Sequence, residues 1–227
     1  MKLDLTTYFT EYESLVAQID ALFKNVSEKF ADEVKCKEGC SDCCHALFDI
    51  PLVEALYLNA KFQEVDEKER NKILIEADKA DRKANVLKKK ISKDAEQSES
   101  ADILGRVAQE RIRCPLLSEV NVCQLYAFRP ITCRVYGIPL EIEGKSHTCG
   151  LSGFIPGNSY PAVKIHRVQD ELLRISNQIL DDLGSKYADF RLMHVPVSTA
   201  LMTMYNDEYF GLSELSESEN VAEGEND

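Results

Sequence analysis

Four cysteines within nine residues constrain this chain more than any other feature of its sequence. The stretch V-K-C-K-E-G-C-S-D-C-C-H-A-L, residues 34–47, contains Cys36, Cys40, Cys43 and Cys44. Its glycine, serine and aspartate favour turns, so several sulfurs can converge on one point. Thiolates packed this closely repel one another, and a bound cation removes the repulsion while lowering the pKa of the thiols. The stretch is therefore interpreted first as a metal or cluster site.

The other four cysteines lie further along the chain and are widely spaced. Cys114, Cys123, Cys133 and Cys149 are separated by 8, 9 and 15 residues. A zinc ribbon would contain two close C-x2-C pairs, and this group has none, so its sulfurs can meet only through tertiary folding. We expect the two groups to close on each other in an interleaved arrangement. Eight thiols suffice for two ions, or for one cluster with auxiliary thiols.

Composition and charge favour a cytoplasmic protein and limit its partners. A chain of 227 residues can bury a core without disulfides. Its first residues do not resemble a secretory signal, and the sequence has no apolar run of membrane-spanning length, so we expect a cytoplasmic location and no membrane partner. In a reducing compartment, cysteines are more often metal ligands than disulfide partners, although the even number of cysteines also permits disulfides. The formal net charge of −12 argues against nucleic-acid binding.

The spacing of apolar residues predicts a mainly α fold, a single domain of amphipathic helices around an irregular, loop-rich cysteine node. A long helix is expected over residues 5–30, where apolar residues recur every three or four positions. This stripe suits docking on the protein's own core, and it would also suit a homodimer through the N-terminal helix. Further helices are expected at 52–62, 67–91, 101–112, 165–183 and 197–212, with a linker at 92–100.

These elements divide the chain into four parts. Residues 1–33 form an N-terminal helix, and residues 34–150 form the cysteine-cluster metal-binding region, with a charged helical insert at 66–100. Residues 151–212 form a C-terminal helical region. Residues 213–227 contain six acidic and no basic side chains and are expected to be a disordered acidic tail.

Three familiar uses of clustered cysteines disagree with the sequence. Covalent haem requires C-x-x-C-H, but Ser41 stands where the first cysteine would precede His45. A thioredoxin-like pair would be accompanied by strand–helix alternation, which is missing around Cys40 and Cys43. The spacing Cys36-x3-Cys40-x2-Cys43 coincides with that of radical S-adenosylmethionine enzymes, but the chain lacks the repeated strand–helix units of the barrel in which such enzymes usually work.

A wider pattern resembles the YkgJ-like cysteine cluster family, whose members are described as zinc- or iron-chelating proteins. The pattern covers residues 36–150 and comprises Cys36-x3-Cys40-x2-Cys43-Cys44, Cys114-Pro115-Leu116, Cys123, Tyr126, Arg129-Pro130 and Cys133-Arg134. The resemblance implies metal or iron–sulfur binding and brings no settled reaction with it. The candidate ligands are Cys36, Cys40, Cys43, Cys44, Cys114, Cys123, Cys133 and Cys149.

The sequence therefore predicts a cysteine-cluster metalloprotein whose cofactor, zinc or an iron–sulfur cluster, is at least structural. An iron–sulfur enzyme for electron transfer or S-adenosylmethionine chemistry is one alternative, and a zinc/thiol redox switch is another. Arg129 and Arg134 flank Cys133 and could offset the negative charge of a thiolate site, although ordinary surface roles explain them equally well. His45 and His147 are left out of the ligand set because eight thiols are available. No catalytic residue and no particular protein partner can be named.

Overall fold

Six α-helices carry most of the regular structure in the described residues, which are 4–37, 39–96 and 110–212 of the computed structural model. They are α1 (Thr6–Lys29), α2 (Leu52–Gln63), α3 (Glu67–Glu96), α4 (Ile131–Val135), α5 (Ile165–Leu183) and α6 (Val197–Met202). The predicted mainly α, single-domain fold is confirmed. None of the helices in these ranges has both the length and the apolar character needed to cross a bilayer.

Helix α2 is buried along most of its length because both of its faces are apolar. Leu52, Val53, Leu56 and Tyr57 belong to a large hydrophobic cluster with residues of α1, α4 and α5. Its opposite face joins a second cluster with residues of α3 and α6, through Ala55, Leu58 and Phe62. The N-terminus of α2 is closed by the Ser176 hydroxyl of α5, which accepts a 3.0 Å hydrogen bond from the Val53 amide.

Helices α1 and α5 form where the sequence predicts them. Helix α1 buries Tyr12, Ile19 and Val26 in the large cluster, so its apolar stripe packs on the chain's own core. A homodimer through α1 would therefore have to use other residues of the helix. Helix α5 ends at Gly184, whose φ of +67° is the left-handed C-cap expected of a glycine.

Two small sheets connect the helices. Strand β1 (Asp49–Pro51) pairs antiparallel with β5 (His194–Pro196), with Asp49 opposite Pro196, so α2 and α6 begin at opposite ends of this short ladder. Strands β2 (Leu140–Ile142) and β3 (Lys145–His147) form an antiparallel hairpin. Strand β4 (Val163–Lys164) adds parallel to β2 and leads directly into α5, giving the order β3-β2-β4.

Several predicted boundaries are wrong. Helix α3 continues to Glu96, beyond the linker predicted to begin at 92, and residues 110–112 are not helical. Helix α6 ends at Met202 instead of residue 212, because the segment after it folds into an aromatic cluster that includes Tyr205, Tyr209 and Phe210. Helix α4 was not predicted. The rest of the helix predicted at 101–112 and the tail at 213–227 lie outside the described residues.

A buried carboxyl group links three of the helices. Glu54 of α2 is 2% exposed, and its Oε1 accepts hydrogen bonds from the Tyr12 hydroxyl of α1, at 3.0 Å, and from the Ile131 amide of α4, at 2.7 Å. Burial raises the pKa of Glu54 to about 7, although these two hydrogen bonds and the charge of Arg134 act in the opposite direction. The contact fixes α4, which carries Cys133, to the core.

The raised pKa of Glu54 predicts a measurable pH dependence of stability. Between pH 4.5 and 7 the folded chain holds a proton at Glu54 that the unfolded chain releases, so stability present below pH 4.5 is lost as the pH rises. The full loss is on the order of 3 kcal/mol. Glu54→Gln keeps an oxygen for both donors and should abolish this contribution. The measurement is urea unfolding of both proteins at several pH values in this range. The unfolding free energy of wild type minus that of the variant should fall as the pH rises.

Glu64→Gln is the matched control, because Glu64 lies at the exposed end of the same helix. The control should follow the wild-type pH dependence. If the unfolding free energies of wild type and Glu54→Gln changed in parallel with pH, the buried carboxyl would not titrate in this range.

Candidate metal centre

The first cysteine group is folded by local turns. The Cys40 amide donates to the Lys37 carbonyl, and the Cys44 amide donates to the Ser41 carbonyl, each at 3.0 Å. Residues Asp42–His45 form a 3-10 turn that carries Cys43 and Cys44. His45 contacts the Ser41 carbonyl through Nδ1 at 3.0 Å, so this nitrogen is used within the turn.

The chain around Cys114 pairs with the end of this turn. The Cys114 amide donates to the Cys44 carbonyl at 2.7 Å, and the Ile112 amide donates to the His45 carbonyl at 3.0 Å. Ala46 and Arg111 form an isolated antiparallel bridge at the same place. These main-chain contacts bring the two cysteine groups, far apart in sequence, to one location.

The remaining three cysteines are positioned by three different local structures. Cys123 lies opposite Leu117 in a tight hairpin closed by hydrogen bonds from Gln124 to Leu116, at 2.8 Å, and from Ser118 to Val122, at 2.9 Å. Cys133 lies on α4, and Cys149 follows strand β3.

All eight cysteines line one cavity of about 630 Å³. They are free thiols, of which Cys36 is exposed and the other seven are partly buried. Within the described ranges, no three His, Cys, Asp or Glu side chains are already grouped as the ligands of a single metal ion. The thiols are instead distributed around the cavity wall, which also includes Phe23, Leu47, Leu116 and Tyr136.

Burial keeps most of these thiols protonated when no metal is bound. Burial and then the charges of neighbouring thiolates raise the pKa of Cys36 to about 11, and burial chiefly raises the pKa of Cys114 to about 12. The pKa of Cys133 is raised for the same reason. A hydrogen bond from Cys44 lowers the pKa of Cys43 and raises that of Cys44. Ligation of a metal cation would therefore displace protons from this site.

The two arginines expected near the cysteines have different roles. Arg129 lines the cavity, with its guanidinium 3.9 Å above the ring of Tyr126, and its charge favours the thiolate forms of Cys36 and Cys43. Arg134 is 6% exposed and binds Asp20 of α1 at 2.6 Å. It also donates to the Arg129 and Ala127 carbonyls, so its main effect is to hold the cavity wall against α1.

Asp42 and Gly137 are site residues that sequence reasoning missed. Asp42 pairs with Arg111, and its Oδ2 accepts a 3.4 Å hydrogen bond from the Cys149 thiol. Gly137 leaves space for the Cys36 sulfur, because a Cβ at this position would overlap that atom. Asp42 is adjacent to Cys43 in the sequence, and Gly137 lies four residues after Cys133. Closeness to a cysteine in the sequence is therefore the one feature that could have identified them as site residues.

The donor set determines what this cavity could hold. Thiolate is a soft ligand that selects zinc, copper(I) and iron–sulfur clusters over magnesium or calcium. The eight thiols and the cation Arg129 beside them fit a metal that is bound through sulfur. His45 and His147 are not among the residues that line this cavity.

Comparison with known proteins identifies the family. No curated protein and no solved structure matches the chain significantly. The family model CxxCxxCC, described as "Putative zinc- or iron-chelating domain", matches residues 35–150, just over half of the chain. The family name has two residues between the first two cysteines, whereas three separate Cys36 and Cys40 here. The matched segment contains all eight cysteines of the cavity, and the chain belongs to the CxxCxxCC family.

Proposed function

We propose that this protein is an iron–sulfur protein in which the eight cysteines hold the cofactor and the cofactor holds the cysteine loops in place. The observation that carries the proposal is the convergence of all eight thiols on one cavity of about 630 Å³. The family description supports metal chelation and leaves the metal open between zinc and iron.

The size of the cavity favours a cluster over a single zinc ion. Zinc binds thiolates at about 2.3 Å, so four cysteines close tightly around one ion and leave no further space between them. An iron–sulfur cluster brings several iron and sulfide atoms and is held by four cysteine thiolates at its corners. The eight thiols provide the ligands, and the cavity they line, which extends to Ala84 and Val197, has room for such a cofactor.

The chain's own residues would bind the cofactor and control its surroundings. The thiols supply the ligands, Arg129 offsets part of the negative charge, and the apolar side chains Phe23, Leu47 and Leu116 limit access of water. When bound, an iron–sulfur cluster supplies one-electron transfer at a potential set by charge, hydrogen bonds and solvent exposure.

The segments that carry the ligands have little regular structure, and this supports a structural role for the metal. Cys36, Cys40, Cys114 and Cys149 lie outside helices and strands, and only a few main-chain hydrogen bonds connect their segments. Metal ligation would add order that these loops otherwise lack. We place the protein in the cytoplasm, because eight free thiols persist best in a reducing compartment.

Zinc is the second candidate, with a thiol redox switch as its function. Cys36 favours this alternative, because it is the most exposed of the eight cysteine residues and can be oxidised while its partners remain shielded. Oxidation would then release the ion.

The metal content of the protein purified without oxygen tests the proposal. The proposal predicts a brown protein with visible charge-transfer absorption and with iron and acid-labile sulfide in equal amounts. Cys133→Ser should lower both, because this cysteine lies within α4 on the cavity wall. Ser146→Ala, on the exposed strand β3, is the control for losses during purification and should retain the wild-type iron and sulfide content.

A colourless protein with stoichiometric zinc would replace the iron–sulfur proposal with the zinc candidate. A folded protein that contains neither metal after purification and after reconstitution would contradict both.

A further inference from the structure

A second, smaller cavity divides the eight thiols into two sets. This cavity has a volume of about 370 Å³ and is lined by Cys36, Cys40 and Cys149. The other five cysteines line only the larger cavity. We call the three-thiol group the outer set. The inner set comprises Cys43, Cys44, Cys114, Cys123 and Cys133.

The outer set combines cysteines from both groups in the sequence. Cys36 and Cys40 belong to the first group, whereas Cys149 is the last cysteine of the chain. The Gly153 amide donates a 2.7 Å hydrogen bond to the Glu33 carbonyl, which fixes the loop after Cys149 against the segment before Cys36. The outer set is therefore held together by the main chain.

Gly137 gives the outer set its space. A Cβ at this position would overlap the Cys36 sulfur and lie 3.4 Å from the Cys36 Cβ. The absence of a side chain lets the sulfur lie directly against the backbone of residue 137, which also lines the smaller cavity. Lys35 and Lys37 lie on the same wall and provide positive charge beside the three thiols.

The inner set is joined by a different part of the fold. Cys44 is tied to Cys114 by the 2.7 Å hydrogen bond from the Cys114 amide to the Cys44 carbonyl. The Leu117 amide donates a hydrogen bond to the Cys114 carbonyl, and Leu117 lies opposite Cys123 in the hairpin. Cys114 is therefore close to Cys123. Cys133 reaches the same cavity from α4, which is fixed to the core through Glu54.

We infer that the protein binds two separate metal centres, an outer one on Cys36, Cys40 and Cys149 and an inner one on cysteines of the inner set. This inference rests on the proposed function, since it specifies how the same cavity is used. The inner set contains one cysteine more than a tetrahedral or cubane site requires. Cys43, the inner cysteine nearest in sequence to Cys40, is the one available to complete the outer centre.

Two matched variants test the division, each compared with wild type by metal analysis and by residue-resolved alkylation of the native protein. Cys36→Ser/Cys149→Ser removes two outer ligands, and Cys114→Ser/Cys133→Ser removes two inner ligands. For two like centres, the outer variant should lose about half of the wild-type metal. Cys40 should become reactive, whereas Cys114, Cys123 and Cys133 should remain protected. The inner variant should show the reverse pattern.

Gly137→Ala provides an independent test without removing a thiol. It should displace the Cys36 sulfur, increase alkylation of Cys36 several-fold and lower the metal content, with the inner set still protected. Gly150→Ala is the control, because a Cβ at this position meets open space beside Cys149. The control should match wild type in both measurements.

The outcomes separate this inference from the proposed function. Loss of nearly all metal in the outer variant, with all remaining thiols reactive in a chain that stays folded by circular dichroism, would show a single shared centre. That result would overturn the inference and leave the proposed function intact. A wild-type protein that binds no metal would overturn both.

Discussion

The cysteine cavity depends on two main-chain hydrogen bonds that connect distant parts of the chain. The amides of Cys114 and Ile112 donate to the carbonyls of Cys44 and His45 at 2.7 and 3.0 Å. This pairing joins the Cys114 segment to the turn that carries Cys43 and Cys44, and the hydrogen bond from Gly153 to Glu33 joins the Cys149 loop to the segment before Cys36. Two hydrogen bonds contribute only about 1–3 kcal/mol, which is less than the roughly 4 kcal/mol of chain entropy lost in closing a loop of about 70 residues. Burial of Leu116 and Leu125 in the second hydrophobic cluster supplies part of the remainder, and sulfur ligation of a metal could supply the rest.

The helical core supports the cavity from behind. Glu54 fixes the start of α4 to α1 and α2, and Arg134 ties the end of α4 to Asp20 of α1. Both are buried polar groups with several partners, so they specify one position for α4 rather than merely filling space. Cys133 is consequently presented by a rigid element, whereas Cys36 lies on an irregular segment and Cys40 ends a short turn. The site therefore combines one side carried by a helix with one carried by irregular loops.

The sequence predicted the regular parts of this fold because apolar spacing reports local structure. Helices α1 and α5 were found this way, and Gly184 marked the end of α5. Helix α4 was missed because its five residues, Ile131–Val135, are too few to show a helical period. The length of α6 was overestimated because Tyr205, Tyr209 and Phe210 have helical spacing but pack on one another outside a helix. The eight cysteines were evident as candidate ligands, whereas their division into two sets depends on tertiary contacts such as that between Gly153 and Glu33.

Hydrogen exchange with and without metal tests the central claim that metal ligation holds the two cysteine regions together. The protein would be compared as purified and after exhaustive chelation under reducing conditions, with metal removal verified by elemental analysis. The account predicts faster exchange of the Cys114 and Ile112 amides after chelation, because their hydrogen bonds to the first cysteine group would open. The buried core of α5 should keep its protection and serve as the internal reference. Unchanged exchange of Cys114 and Ile112 in metal-free protein would contradict the claim and show that the main-chain pairing is stable on its own.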